Sequence, residues 1–335
     1  MKEIWEHRFW YSFFRPWVEY AAKCHYSNHL EVVGRDLIPD GSVVFAINHQ
    51  NGLMDALTVL CTAQQPVVFL CRGDIFSTRA ARWAFAFLRA LPVYRPRDGR
   101  QALAANEATF DACHQALLHN VPVYIAPEGT HHAGPDLLPF KKGFAQMACR
   151  AQAADESRSV SVVPVGIAYS SFSAPWTRAE VQIGQPIDVS QFMPLYHTDP
   201  IAAYNAMSQQ LRANLTKAIP TRPATAPRLW LIIVVALALI ALGIACPKTL
   251  IILLTANPLA FIPTTWLSRR LTDDPQSVQT VDFGLRLALI LIYIIVHTVW
   301  LAIAGRWATA VVSLAIAIIL PWAMGYFVKK RHVKH

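Results

Sequence analysis

Past residue 228 the chain stops reading like a water-soluble protein. Four long segments nearly free of charge follow one another, at 229–246, 249–266, 283–304 and 307–327. A helix needs about 20 apolar residues, within a range of roughly 17–25, to cross the hydrocarbon of a bilayer. Inside lipid the backbone must satisfy its own hydrogen bonds, so such segments read as helices. The first and fourth have the required length without interruption. The third keeps it despite Arg286 near its end, read as snorkelling, and His297 inside, read as packed or hydrogen-bonded. Asn257, Pro258 and Pro263 break up the second, which reads as kinked or re-entrant. This block carries the excess that makes the 335-residue chain 54% hydrophobic and only 15% charged.

The loops orient these spans. Arg222 and Arg228 precede the first, Arg269-Arg270 lies between the second and third, and a basic tail at 328–335 closes the chain. The remaining turns, Pro247-Lys248 and Gly305-Arg306, are very short. Cytoplasmic loops carry the Lys and Arg, so about four spans place both termini and everything before residue 221 in the cytoplasm. A re-entrant second segment reduces the spans to three and moves the C-terminus to the other side.

Ahead of the spans the pattern changes twice. Residues 1–28 hold Trp5, Phe9, Trp10, Tyr11, Phe13, Phe14, Trp17, Tyr20 and Tyr26 among basic residues. They read as a helix lying in the membrane interface, the alternative being a helix packed on the domain that follows. Glu3, Glu6, Arg8, Arg15 and Glu19 exclude a signal peptide. Residues 29–220 alternate short apolar strands with helical patterns, which predicts an α/β domain, a sheet flanked by helices. Strands are expected at 43–47, 67–70, 91–94, 121–126, 160–167 and 180–183. Helices are expected at 78–89, at 100–119 and from about Gly143. In the second of these, Leu103, Phe110 and Leu117 recur every seven residues with Cys113 on the same side. Residues 221–228, rich in Pro and Thr, form a linker to the membrane domain at 229–327.

Charge and cysteines narrow the function. The net charge of +9 suits an anionic lipid surface, and no nucleic-acid signature accompanies it. Cys24, Cys61, Cys71, Cys113, Cys149 and Cys246 have irregular spacing and no Cys-x-x-Cys pair, so they read as reduced thiols.

The chemical signal lies in Asn48-His49-Gln50-Asn51-Gly52-Leu53-Met54-Asp55, directly after the first strand of the α/β domain. A His stands where strand hands over to helix, with Asp55 expected about two turns into the next element. An Asp bonded to the far ring nitrogen fixes the tautomer and stabilises the imidazolium, the minimum equipment for deprotonating an alcohol. Backbone N–H groups at the helix start after His49 are candidate oxyanion donors. Pro127-Glu128-Gly129-Thr130 follows the fourth expected strand. His131 and His132 beside Glu128 raise the thought of a metal, but no ligand spacing supports it.

In this combination the chain resembles the glycerolipid acyltransferase superfamily, membrane enzymes that make lysophosphatidic and phosphatidic acid. That family carries His-x4-Asp at a strand end; here the motif is His-x5-Asp, as in a subgroup with fungal glycerol-3-phosphate acyltransferases and many bacterial members. Leu91-Pro92-Val93-Tyr94-Arg95 resembles the second family block, Pro127-Glu128-Gly129-Thr130 with Phe140-Lys141-Lys142-Gly143 the third, and Val162-Val163-Pro164-Val165 the fourth.

The resemblance implies a fatty acyl transfer from acyl-CoA or acyl carrier protein to a glycerol phosphate hydroxyl, in phosphatidic acid synthesis at a bacterial inner membrane. It implies no cofactor and no metal. His49 and Asp55 are then catalytic, while Arg95, Arg97, Glu128, Gly129, Thr130, Lys141 and Lys142 form the substrate site. Arg suits bidentate contact with a phosphate, and Glu128 is available for a glycerol hydroxyl or for ordering an Arg. Glycerol 3-phosphate and 1-acylglycerol 3-phosphate are the leading acceptors, the spacing favouring the first. Another lysophospholipid or an amine-bearing lipid, thioester hydrolysis, and lipid binding without catalysis are the competing functions.

Overall fold

The computed structural model describes residues 4–6, 9–26, 30–63, 65–95, 98–132, 134, 136–173, 177–221, 264–272, 277–312, 314–315 and 319. Arg97, the linker at 222–228, the first expected span, nearly all of the second, the latter part of the fourth and the basic tail lie outside them. The chain divides into two compact units. One comprises Met1–Tyr11, Glu31–Ala168 and Glu180–Arg222; the other comprises Ser12–Leu30, Tyr169–Ala179 and Pro223–His335.

The first unit is built on an eight-stranded sheet ordered β1-β7-β6-β2-β5-β3-β4, with β8 paired to β6. Its strands are β1 (Leu30–Val33), β2 (Ser42–Ile47), β3 (Val68–Arg72), β4 (Ala90–Val93), β5 (Val123–Ile125), β6 (Val160–Tyr169), β7 (Ala179–Ile183) and β8 (Ile187–Asp188). The pairs β6–β2, β2–β5, β5–β3 and β3–β4 are all parallel. β2 and β6 are buried along their whole lengths, as parallel strands covered on both faces must be. Their unbroken apolar runs in the sequence have this cause.

Helices α2 (Leu53–Thr62), α3 (Arg79–Phe87), α4 (Arg100–Leu118), α5 (Gly143–Ala154), α6 (Met193–Thr198) and α7 (Pro200–Ala218) connect and cover the strands. Leu117 and Cys113 of α4, Phe144 and Met147 of α5, and Met207 and Leu211 of α7 pack on Val44, Val68, Val123 and Val162 in one core. The ends of α4 follow local rules. Gly99 precedes it at φ 95, and Asn120 follows it in the left-handed region at φ 55. Asp199 caps α7 by accepting from the Ala202 N–H at 3.0 Å, with Pro200 at the first helical position. All six expected strands form, as do the three expected helices. β1 and β8 were not anticipated, being a half-exposed strand and a two-residue strand.

The second unit contains most of α1 (Phe9–His25), α8 (Thr265–Leu271) and α9 (Val278–Ile303). Arg15, Glu19, Ala22 and Tyr26 form a buried stripe, and within it Arg15 Nε donates to Glu19 Oε1 at 2.6 Å. On that face α1 is a packed helix; the side chains of Trp10, Trp17 and Tyr20 lie outside the described ones. Among the described residues one helix, α9, is long and apolar enough to cross a membrane. It falls into two parts. Gln279, Asp282 and Arg286 near its start are buried, whereas Leu291, Ile292, Ile295, Val296 and Ile303 are exposed. Gln279 Nε2 donates to Ser171 O at 2.7 Å, the Thr264 hydroxyl donates to Asp282, and Arg286 pairs with Asp282 at 2.6 Å. Arg286 therefore does not snorkel: an acidic partner one turn earlier holds it inside the packed part.

Strand β6 approaches the end of α7 so closely that a Cβ on Gly166 would stand 2.0 Å from the Ala218 carbonyl oxygen. Backbone cannot yield as a flexible side chain does. Gly166→Ala is expected to destabilise the sheet domain by about 1–3 kcal/mol. The thermal unfolding midpoint of the full chain in detergent checks this, and an unchanged midpoint would show that the contact is looser than described.

Candidate active site

The site grows out of the carboxyl end of β2, between β6 and β5. Asn48, the first residue past the strand, is buried and pairs with β6 through both ends of its carboxamide. Its Nδ2 donates to Ile167 O at 2.9 Å and its Oδ1 accepts from Ile167 N at 2.7 Å. The side chain continues the sheet pairing where the backbone leaves it. The next residue, His49, thereby inherits a fixed position. Asn48 belongs to the motif read from the sequence, but nothing there assigned it this task.

The backbone of His49 is held on both sides by the loop after β5. Its N–H donates to Glu128 Oε1 at 2.9 Å, and its carbonyl accepts from the His132 N–H at 3.0 Å. Its ring Nδ1 lies 2.7 Å from Asp55 Oδ2, and the ring meets His131 edge-on at 5.5 Å. The Asp55 side chain is 0% exposed and that of His49 17%. With Nδ1–H donated to the carboxylate, the Nε2 lone pair is the basic position of the imidazole.

Asp55 sits in the first turn of α2, not two turns in, because 48–52 form a loop before the helix begins at Leu53. The helix is preceded by Gly52 at φ 52 and ψ −122, a conformation closed to residues with a Cβ. Asp55 Oδ2 also accepts from the N–H of Gln50 at 3.0 Å and of Asn51 at 2.8 Å. Two of the backbone donors that follow His49 are thus turned onto Asp55.

Glu128 is likewise buried. Its second oxygen accepts from the Leu138 N–H at 2.8 Å and lies 3.6 Å from His132 Nδ1. It shapes the loop, and among the described residues neither oxygen holds an Arg. Gly129, at φ 70, and Thr130 are exposed beyond it. The Lys141 backbone N–H donates to Pro127 O at 2.7 Å, and a Cβ on Gly129 would lie 3.4 Å from Lys141 Cγ. Gly129 and Lys141 are therefore neighbours on the exposed side. Lys142, also exposed, immediately precedes α5.

Residues 29–168 match the acyltransferase family. Glycerol-3-phosphate O-acyltransferase 2 of Saccharomyces cerevisiae is 33% identical over 119 residues, covering 35% of this chain and 16% of that protein. The 1-acyl-sn-glycerol-3-phosphate acyltransferase of Salmonella typhimurium is 25% identical over 192 residues, covering 55% and 73%. The crystal structure of the 1-acyl-sn-glycerophosphate acyltransferase from Thermotoga maritima superposes with a TM-score of 0.42 at 20% identity, covering 60% and 77%. This chain thus spans only a small part of the yeast relative's length.

In the sheet domain, the carboxyl ends of β3 and β4 complete the edge. Arg95 follows β4, where its N–H donates to Asp98 Oδ2 at 2.7 Å. Arg72, which the sequence reading passed over, ends β3 and forms a two-point ion pair with Asp74. The Arg72 guanidinium holds the Asp74 carboxyl below the usual carboxylate range, with Arg95 adding to the effect. Its signal was available as an Arg directly after an apolar strand, the same cue that picked out Arg95. Burial pushes the thiols of Cys113 and Cys149 up to about 12, so neither is a nucleophile at neutral pH. Among the described residues, no three His, Cys, Asp or Glu are grouped to hold a metal ion.

An amide at position 128 offers one acceptor oxygen and one NH2 group where the carboxylate offers two acceptor oxygens. In Glu128→Gln either the His49 or the Leu138 N–H meets another donor. The expected loss is about 1–3 kcal/mol of stability, with faster proteolysis of the 129–138 loop. Wild-type resistance to both denaturant and protease would mean that the two bonds do not hold the loop.

Proposed function

We propose that the chain transfers a fatty acyl group from a thioester, acyl-CoA or acyl carrier protein, to a hydroxyl of a glycerol phosphate in phospholipid synthesis. The observation that carries this reading is the 2.7 Å contact of His49 Nδ1 with the buried Asp55, which makes Nε2 the basic nitrogen at the carboxyl end of a parallel strand. In open α/β sheets that end is where ligands bind. His49 Nε2 takes the acceptor's hydroxyl proton as its oxygen attacks the thioester carbonyl. The new C–O bond forms, the C–S bond breaks, and the imidazolium returns the proton to the departing thiolate. Asp55 stabilises the imidazolium in between. Transfer is direct, and the reaction is written without metal or cofactor because the thioester is already an activated acyl group.

Cations for the acceptor's phosphate stand along the same edge. Lys141 lies beside the loop after β5, next to β2; Arg72 and Arg95 follow β3 and β4. At about 4.8 Å per strand, β4 lies roughly 14 Å from β2. Arg95 must therefore lean back over β3 to share a phosphate with Lys141. Arg97 and Lys142 extend the cationic set, and Gly129 with Thr130 supplies close backbone and a hydroxyl. The names of the relatives favour glycerol 3-phosphate and 1-acylglycerol 3-phosphate as acceptors, and the His-x5-Asp spacing favours the first. Helix α9 supports an integral membrane protein, and the loop charges support a domain facing the cytoplasm.

Labelled acyl-CoA or acyl carrier protein, offered with each acceptor to the full chain in detergent, tests the reading. Lipid product is expected with wild type and none above background with His49→Ala. Asp55→Asn is expected to lose about 10²–10⁴ in kcat. Equal product from His49→Ala would remove the proposed base, and thioester loss without lipid product would make the protein a hydrolase. Arg95→Ala and Lys141→Ala are each expected to raise KM for the phosphate acceptor roughly 10–100-fold, as befits a charge-assisted hydrogen bond. Unchanged acceptor KM in both would place the phosphate elsewhere.

A further inference from the structure

Helix α3 carries its large apolar side chains on the wrong side for a soluble domain. Its outward stripe reads Arg79, Arg82, Trp83, Ala86 and Phe87, the i, i+3, i+4, i+7, i+8 spacing of one helical face. Trp83 is 75% exposed and stacks on Phe87 at 6.1 Å between ring centroids. Leu88, just past the helix, is exposed as well. Arg79 and Arg82 are exposed and, among the described residues, have no carboxylate paired with them. The inward side has its own partners: Phe85 packs on Phe76 at 4.9 Å, and Arg89 turns in over the Tyr11 ring at 5.0 Å. Trp83 is thus surplus to the core, with Phe87 half-buried beside it.

We propose that this face of α3 is a lipid-contact surface, with Trp83 and Phe87 at the headgroup boundary and Arg79 and Arg82 on anionic headgroups. Trp is the side chain that prefers the membrane interface, where one end is apolar and the other wet. Two arginines favour an anionic over a neutral surface by roughly thirtyfold together. Charge complementarity thus selects the occupant, and stacked aromatics beside the arginines fit a lipid boundary better than a polar protein rim.

Position gives the contact a use. α3 follows β3 through a short turn that starts at Gly73, beside Arg72. A Cβ there would stand 2.2 Å from the Tyr94 ring. The helix therefore starts at the sheet edge that carries His49, Arg72 and Arg95. Docking α3 brings that edge to the bilayer, so that a long-chain acyl group need not leave lipid to reach His49. This use rests on the acyl-transfer reading, whereas the contact itself does not.

The test reads lipid contact and not turnover. The full chain is reconstituted in nanodiscs whose lipids carry brominated acyl chains, with or without phosphatidylglycerol. The emission of wild type minus that of Trp83→Phe isolates Trp83. The expected difference spectrum is blue-shifted and quenched, more strongly in the anionic discs, and Arg79→Glu with Arg82→Glu abolishes the quenching. A red-shifted, unquenched difference spectrum in both discs would overturn the proposal. So would quenching indifferent to phosphatidylglycerol and to charge reversal. Shielding of Trp83 by an added acidic carrier protein, without bromolipid quenching, would assign the face to a protein and also overturn it. Loss of acyl transfer with quenching intact would count against the proposed function alone.

Discussion

Two buried carboxylates hold the whole chemical edge of this domain in place. Asp55 and Glu128 between them accept the backbone N–H groups of His49, Gln50, Asn51 and Leu138, together with the His49 ring. Burying a charge is costly unless hydrogen bonds compensate it, and here every bond is charge-assisted. The compensation fixes the turn that leaves β2 and the loop that leaves β5, and it aims the imidazole. The aim of one histidine ring depends on both, so structure and chemistry are not separable at this site.

The parallel sheet then decides what else can share the site. Loops leave the carboxyl ends of β2, β5, β3 and β4 in spatial order, although the chain visits them as β2, β3, β4, β5. The strand nearest the histidine is therefore reached last, and Gly129 and Lys141 come next to His49 through topology, not sequence proximity. Arg72 and Arg95 extend the same edge outward. An elongated acceptor with a phosphate at one end and a hydroxyl at the other suits a row of this kind better than a closed cavity.

Much of this was legible in the residues. Strands β2 and β6 announce themselves because a parallel strand covered on both faces must be apolar throughout, β7 shows itself by alternation, and the pairing of His49 with Asp55 follows from their spacing around a strand end. What escaped was set by tertiary contacts. Asn48 reads as a motif letter, yet its amide completes the β2–β6 pairing at Ile167. For Glu128, no local pattern shows that its carboxylate will face two backbone N–H groups 79 and 10 residues away in the chain. Arg286 reads as a snorkelling arginine in an apolar helix, and only Asp282 one turn back reveals the buried pair. β8 is too short for periodicity to register.

The five residues between His49 and Asp55 show how a loop brings two functional side chains together. Gly52 turns the chain at a φ and ψ open only to glycine, and the Met54 N–H closes back on Asn51 O at 2.9 Å in the first turn of α2. The N–H groups of Gln50 and Asn51 are then directed inward, onto Asp55, where they compensate its burial. A loop of this length without those two bonds would leave a charged carboxylate short of donors in an apolar setting. A helix starting sooner would turn Asp55 away from the ring. The spacing is tolerated because the loop presents its own backbone to the carboxylate that orients the histidine.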